Sequence, residues 1–444
     1  MSDGRDAVFS SGYNERMIAM RLIQFVAATV AVASALSVAH GADLVKRDGQ
    51  HIELITDGIS VAEADTIVAT FDAAVEQWSE FWGLVNGETA DFHVQAYLMQ
   101  DVERFAREGL IPPQVPDFPF GYTLGNRIWV RAQQSEYYTR HLVLHEGVHA
   151  FAYAYFDGGG ATWFQEGTAE LLATHRETAD QVTVNTVPAN REEVPFWGRF
   201  KRMNQSRQQQ TVPTLASVLG YQPNLLGDVE TYGWSWAAAM MMSRYPQYRP
   251  VLLDAARKGQ RRGGRFNQVV RRGLSDQWPI LEARWRVMCQ DLDYGFDWSR
   301  EQVGLSIGDP QWDGRPLRVK IAADRGWQSL GVRVPGGVSL RLDATGRVTL
   351  ADQPKPWVSE PDGITFQYHR GRPIGQLLVS VLPNAINSSD ETVQPLPIYS
   401  VFENTTLQVE QYSWLLFRVN DAVGQLDDNQ GEYEVAVQLA NRQP

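Results

Sequence analysis

Apolar residues recur at helical spacing over 61–81 (Ala64, Val68, Phe71, Val75, Trp78, Phe81), which predicts an amphipathic helix. Residues 93–99 alternate as a strand does, and 127–132 read as another. Over 136–156 the only glycine is Gly147 and proline is absent, while Gly158, Gly159 and Gly160 supply a stop, so a second long helix is expected. Thr162 with Gln165 three residues on has the form of a capping box and opens a further helix. Beyond Asp309 the pattern changes. Short alternating runs at 317–321, 337–342, 364–368 and 376–381, punctuated by Gly, Pro and Asp-Gly turns, predict an all-β sandwich or jelly roll. The expected class is α+β, a mostly helical part followed by an all-β part, dividing near residue 300. A chain of 444 residues is also too long for one ordinary core.

Composition narrows the function classes. With 43% hydrophobic and 21% charged residues the chain has the make-up of a folded globular protein. A formal charge of -12 argues against a nucleic-acid partner, because phosphate binding relies on clustered positive charge. The one basic stretch, 258–273, reads as a solvated helix face and loop. Near the start, Arg21 precedes an apolar run from about Leu22 to Val38, followed by Ala39-His40-Gly41. This has the form of a signal peptide cut after Gly41, with Met17 or Met20 as an alternative start; a retained anchor is the rival reading, although the run is short of the roughly 20 residues of a spanning helix. Residues 1–41 are therefore expected to be leader and signal peptide, with no further membrane span. A periplasmic or extracellular bacterial protein follows. The single cysteine, Cys289, permits no intrachain disulfide.

The chemistry concentrates in 142–171. On the expected helix His145 and His149 are four residues apart, so both imidazoles lie on one face and can reach one cation. Catalytic zinc accepts imidazole nitrogen, takes three protein ligands and keeps a position for water. Glu146, beside the first ligand, can take a proton from that water. His141 shares the face but brackets no glutamate, and reads as a packing or supporting residue. For the third ligand, Asp157 would require the helix to end abruptly. Glu166 and Glu170, also four apart, can both point from the next helix at the histidines.

His145-Glu146-x-x-His149, followed by Glu166 within Trp-Phe-Gln-Glu-Gly-Thr-Ala-Glu, resembles the gluzincin metallopeptidases of the peptidase MA clan. The resemblance implies a zincin-like catalytic domain over 42–300, Zn2+ held by His145, His149 and Glu166, and Glu146 as general base. It implies that Glu170 supports a ligand histidine through a hydrogen bond. The strand at 127–132 would be the edge strand along which an extended substrate aligns. Residues 230–245 resemble the family's tyrosine-bearing helix, which would make Tyr232 the donor to the oxyanion, with His175 as its rival. The acidic strand by which aminopeptidases grip a free amine is absent.

In 414–439 two alternating runs flank a loop carrying Asn420, Asp421, Asp427, Asp428 and Asn429. Clustered carboxylate and amide oxygens suit a hard cation such as Ca2+, while a hairpin with a polar turn is the plainer reading. The Val-Asn-Asp and Asp-Asn-x-Gly pattern, with Gly-Trp-Gln-Ser-Leu-Gly-Val-Arg-Val earlier, resembles the jelly roll of bacterial galactose-binding calcium lectins. That resemblance spans most of 317–439 and implies a calcium- and sugar-binding domain over 301–444, with Asp421, Asp428 and Asn429 on the ion and a glycan as a further partner. Taken together, the expectation is a zinc peptidase that hydrolyses peptide or protein substrates through a metal-bound water. The alternative is a carbohydrate-binding or adhesion protein whose peptidase-like domain is silent.

Overall fold

Helix α1 (Val61–Trp82) starts where Ser60 accepts a hydrogen bond from the Glu63 amide and stops at Gly83 in the left-handed region. It buries Phe71, Trp78 and Trp82 under a five-stranded sheet built from β1 (Val45–Asp48), β2 (Ile52–Thr56), β3 (Val94–Met99), β4 (Gly121–Leu124) and β5 (Arg127–Arg131). A short helix, α2 (Val102–Arg107), follows β3. The computed structural model describes residues 44–440 apart from 86, 179–180, 226, 259–262 and 385–389; the expected leader and signal peptide lie outside the described residues.

The sheet order is β1-β2-β3-β5-β4, with β2, β3 and β5 parallel and β4 antiparallel to β5. This corrects the expected edge strand. The strand at 127–132 is interior, and the edge beside the helix over 136–156 is β4, four residues that begin with a glycine and show no alternation. Helix α3 (Glu136–Phe156) is capped by the Ser135 hydroxyl, ends at Asp157 with φ 51°, and is buried on most of its circumference. Helix α4 (Thr162–Ala173) follows the glycine turn, but the expected capping box does not form. Thr162 is already helical, Ala161 occupies the cap, and the Gln165 amide donates to the Gly160 carbonyl. Trp163 and Phe164 in its first turn are buried.

A small ribbon, β6 (His175–Glu177) with β7 (Val182–Val184), leads to α5 (Arg199–Gln209), α6 (Leu215–Leu219), α7 (Val229–Arg244), α8 (Arg249–Lys258), α9 (Gly263–Gly273), α10 (Trp278–Asp291) and α11 (Trp298–Glu301). The strands that follow are β8 (Leu317–Ala322), β9 (Gln328–Val334), β10 (Val338–Thr349), β11 (Val358–Ser359), β12 (Ile364–His369), β13 (Arg372–Ile374), β14 (Leu377–Pro383), β15 (Ile398–Ser400), β16 (Thr405–Val409), β17 (Ser413–Val419) and β18 (Gln430–Leu439). One sheet runs β11-β10-β18-β8, with β16 also on β10; the other runs β15-β14-β17-β9. The two alternating runs around the 420–429 loop, β17 and β18, thus belong to different sheets. The hairpin reading is therefore wrong: ten residues carry the chain across the sandwich, where a hairpin uses about 2–5.

One large apolar cluster fills the helical part, a smaller one gathers Tyr97, Phe105, Phe118 and Trp129, another fills the sandwich, and a fourth joins helices to sandwich. In the fourth, Ile280, Ala283 and Val287 of α10 meet Trp327, Leu378, Leu382 and Trp414. Each fully buried large side chain there contributes about 2 kcal/mol. A charged network crosses the same junction. Asp291 accepts from Arg418 Nη1 at 2.5 Å, from Trp327 Nε1 at 2.7 Å and from Arg370. Among the described residues no helix is long and apolar enough to cross a membrane.

Glu301 makes this junction sensitive to pH. Burial raises it to about 7, with Arg418 3.9 Å away opposing and Asp291 adding to the rise. A carboxyl raised in the folded state contributes stability below its ordinary value of 4.5 and loses it as pH rises to about 7. The urea midpoint should therefore fall between pH 4.5 and 7 by less in Glu301→Gln than in the unsubstituted protein. Equal pH profiles would show that Glu301 does not titrate there.

Candidate metal centre

Helix α3 crosses α4 so that one face of each is turned toward the other. His145 and His149 stand one turn apart on α3, with their Nε2 atoms 3.2 Å from each other. Glu166 Oε2 of α4 lies 3.3 Å from His145 Nε2 and 3.6 Å from His149 Nε2. These three donors converge as one group able to hold a metal. Burial disfavours charge on both partners, yet the Glu166 and Glu170 carboxylates raise His145 to about 10, and the two histidines lower Glu166 to about 2. The site thus concentrates negative potential on two imidazole nitrogens.

Glu170, one turn on, is almost wholly buried. Its carboxylate contacts His145 Nδ1 at 3.3 Å and His141 Nε2 at 3.4 Å, charge contacts rather than aligned hydrogen bonds. Arg199 of α5 grips it from behind, Nε at 3.0 Å and Nη2 at 2.6 Å. Burial raises the Glu170 carboxyl, but the Arg199 guanidinium and His141 outweigh it and hold it well below the usual range. His141, His145 and Glu170 form a second group within metal-binding distance. Arg199 already neutralises that carboxylate, and the His141 ring is sealed from solvent with Nδ1 on the Ala173 carbonyl at 3.1 Å. The 145/149/166 group is therefore the one that solvent can reach.

A cavity of about 430 Å³ opens over these donors. Glu146 lines it, with Oε2 accepting from the Thr123 hydroxyl of β4 at 2.6 Å. Gly121 permits this approach, since a Cβ there would stand 2.5 Å from Glu146 Oε1. Tyr232 of α7 also lines the cavity, its ring 6.1 Å from that of His145 and 5.7 Å from the Arg199 guanidinium. Burial, then the Glu166 and Glu170 carboxylates, raise its phenol, so it stays a donor at neutral pH.

His175, the rival for the oxyanion role, does not line the cavity. It is buried in β6, stacked on Tyr137 at 4.6 Å with Nδ1 2.8 Å from the Ala173 carbonyl, and burial lowers it to about 4. Asp157 caps α3 and belongs to neither metal-binding group. Arg199, Thr123 and Gly121 were not among the expected site residues. Only Arg199 had a readable signal: with Met203 and Ser206 it marks the buried stripe of an otherwise polar helix.

In the sandwich, Asp421 and Asn429 meet. Asp421 Oδ1 accepts from the Ala422 amide at 2.8 Å and Oδ2 from Asn429 Nδ2 at 3.2 Å, while Asn429 Oδ1 is buried without a partner. Asp428 remains exposed and adds charge repulsion. The loop is also docked: Val423 joins the core of the helical part, and Gly424 packs directly on Gly295, where any side chain would collide.

No protein-family model and no curated protein matches the chain. Among solved structures, one described as "EclA N-terminal domain; PllA-like lectin" is 17% identical, covering 28% of this chain and 95% of that one, with a TM-score of 0.20. A likeness that low carries no argument about fold or function.

Two measurements probe these sites. Arg199→Met leaves Glu170 without its partner and frees it to swing from His145, so if the 145/149/166 group holds zinc, its affinity in a chelator competition should fall about 10–100-fold; unchanged affinity would show that Arg199 does not position the ligand. Burial raises Asp421 to about 6, so ionised Asp421 lowers stability as pH rises from 3.8 to about 6. If the loop holds calcium, as the lectin resemblance implies, the ion competes with that proton: added calcium should then raise the melting temperature more at pH 7.5 than at pH 5, an effect lost in Asp421→Ala, and an equal effect at both pH values would show that it is not bound at Asp421.

Proposed function

We propose that the protein is a zinc-dependent peptidase, exported as its N-terminal sequence suggests, with a zincin-like catalytic part. The supporting observation is the spacing of three donor atoms. Tetrahedral zinc with bonds of about 2.0–2.1 Å needs ligand atoms about 3.3 Å apart. His145 Nε2, His149 Nε2 and Glu166 Oε2 stand 3.2, 3.3 and 3.6 Å apart. The donor set, two imidazoles and a carboxylate with a cavity on the open side, suits a catalytic rather than a structural site.

When bound, zinc supplies Lewis acidity, polarising a carbonyl and making water a better nucleophile near neutral pH. The chain's own residues supply the rest. The Thr123 hydroxyl occupies Glu146 Oε2, which leaves Oε1 to take the proton of the attacking water and return it to the departing amine nitrogen. The Tyr232 hydroxyl donates to the oxygen on which charge develops. Edge strand β4 carries Gly121 and Thr123 past the base, where an extended peptide would pair with it. The sandwich would brace this part rather than offer its 420–429 loop freely to a glycan, since that loop packs against residues 294–295. A purely carbohydrate-binding protein would have no use for Glu146 at this position.

Purified protein should hold about one zinc per chain and cleave a mixed peptide library. Glu146→Gln should retain the metal and lose about 10²–10⁴-fold in kcat. Zinc-free protein, or undiminished cleavage by that variant, would sink the reading. Thr123→Val should lower kcat about tenfold with zinc content unchanged, and Thr123→Ser should restore it.

A further inference from the structure

A second cavity, of about 270 Å³, lies at the junction of α10 with the sandwich and shares no residue with the metal centre. Arg370, Arg372 and Arg418 line it, against one carboxylate, Asp291. Arg418 and Arg370 both direct a nitrogen to Asp291. Arg372 donates only to neutral acceptors, the Ser400 hydroxyl at 2.7 Å and the Ile398 carbonyl at 2.9 Å. Asp291, with Glu301 3.9 Å from Arg418 behind it, offsets Arg370 and Arg418, which leaves the Arg372 guanidinium as the positive charge without a carboxylate partner along the wall. The neighbouring His369 adds no charge: burial first, then Arg370 and Arg418, lower it to about 4 against the opposing pull of Asp291 and Asp293. Guanidiniums in a partly enclosed cavity make an anion site, because their planar donors match two-oxygen acceptors and their weak hydration makes burial less costly.

The rest of the lining decides which anion. Leu378, Leu396 and the Trp327 ring, which lies beside Arg418, are apolar. Free phosphate carries oxygens on every side and would leave some of them against hydrocarbon, whereas an organic carboxylate has one polar end and a less polar body. The volume is at the lower limit of ligand cavities, about 300 Å³, which restricts the occupant to a small molecule or one terminal residue.

We propose that this junction cavity is a binding site for a small organic carboxylate, gripped by Arg370 and Arg372 with its body against Leu378, Leu396 and Trp327. The C-terminal carboxylate of a peptide with an apolar last residue offers this chemistry. The inference stands apart from the proposed peptidase reading and does not depend on zinc.

Calorimetric titration of the full chain tests it with matched probes: N-acetyl-leucine against N-acetyl-leucinamide, with glucuronate against glucose as the polar-bodied control. N-acetyl-leucine should bind while its neutral counterpart does not, and more tightly than glucuronate. Arg372→Gln should weaken that binding about tenfold or more, as loss of a charge-assisted pair requires, and Arg370→Gln provides a second variant at a half-exposed position. Both variants should melt as cooperatively as the unsubstituted protein. No binding of N-acetyl-leucine, equal binding of its neutral counterpart, equal or tighter binding of glucuronate, unweakened binding by both folded variants, or tighter binding of inorganic phosphate would each overturn the proposal.

Discussion

The Arg199–Glu170 pair is the interaction on which the candidate centre depends. Both groups are buried, and either alone would carry a large desolvation cost, several kcal/mol per ion. Paired through two nitrogens, they leave Glu170 ionised where water cannot reach it, and the remaining field of that carboxylate falls on His141 and His145. His145 is thereby turned so that Nε2, not Nδ1, faces His149 and Glu166. Three helices are bound into this arrangement: α3 brings the histidines, α4 the carboxylates and α5 the cation. Arg199 also lies within 6 Å of the Tyr138, Trp197 and Tyr232 rings, so the same guanidinium that fixes Glu170 helps fix the phenol that lines the cavity.

A second buried ion cluster performs the corresponding task at the junction. Asp291 ends α10, and two sandwich arginines with the Trp327 indole converge on it. Apolar packing between α10 and the sandwich supplies attraction without direction, whereas the charged cluster allows only one register because a displaced partner would leave a charge buried and unpaired. The close contact of Gly424 with Gly295 adds a steric condition to the electrostatic one. The sandwich is in this sense built into the body of the protein, and its polar loop sits where docking rather than display constrains it.

What was legible in the sequence follows from how local each signal is. Helix α3 could be read to the residue because its start, its glycine stop and its i, i+4 histidines all lie within one segment. Glu166 and Glu170 followed from the same spacing on α4. Edge strand β4 could not be read, since four residues starting at a glycine offer no alternation, and only pairing with β5 makes them a strand. The sandwich strands were visible one by one, but their partners were not: β17 and β18 look like a hairpin because pattern reveals a strand's faces and not its neighbour. His175, expected as the rival of Tyr232, stays out of the cavity for a related reason: the β6–β7 ribbon and Tyr137 close over it, a tertiary contact that no local pattern announces.

The residues that sequence left out share a property that explains the omission. Thr123, Gly121 and Arg199 come from elements remote in sequence from the helix pair, and each acts on a residue that was already visible: Thr123 and Gly121 on Glu146, Arg199 on Glu170. A base needs one oxygen tied down so that the other faces the reacting atoms, and a ligand histidine needs its far nitrogen held. Neither requirement fixes where in the chain the holding group must lie. Motif spacing can specify the atoms that meet a metal or a proton because one helix pair supplies them together. The groups that orient those atoms are set by tertiary contact, and at this centre they are the part of the chemistry that only the fold determines.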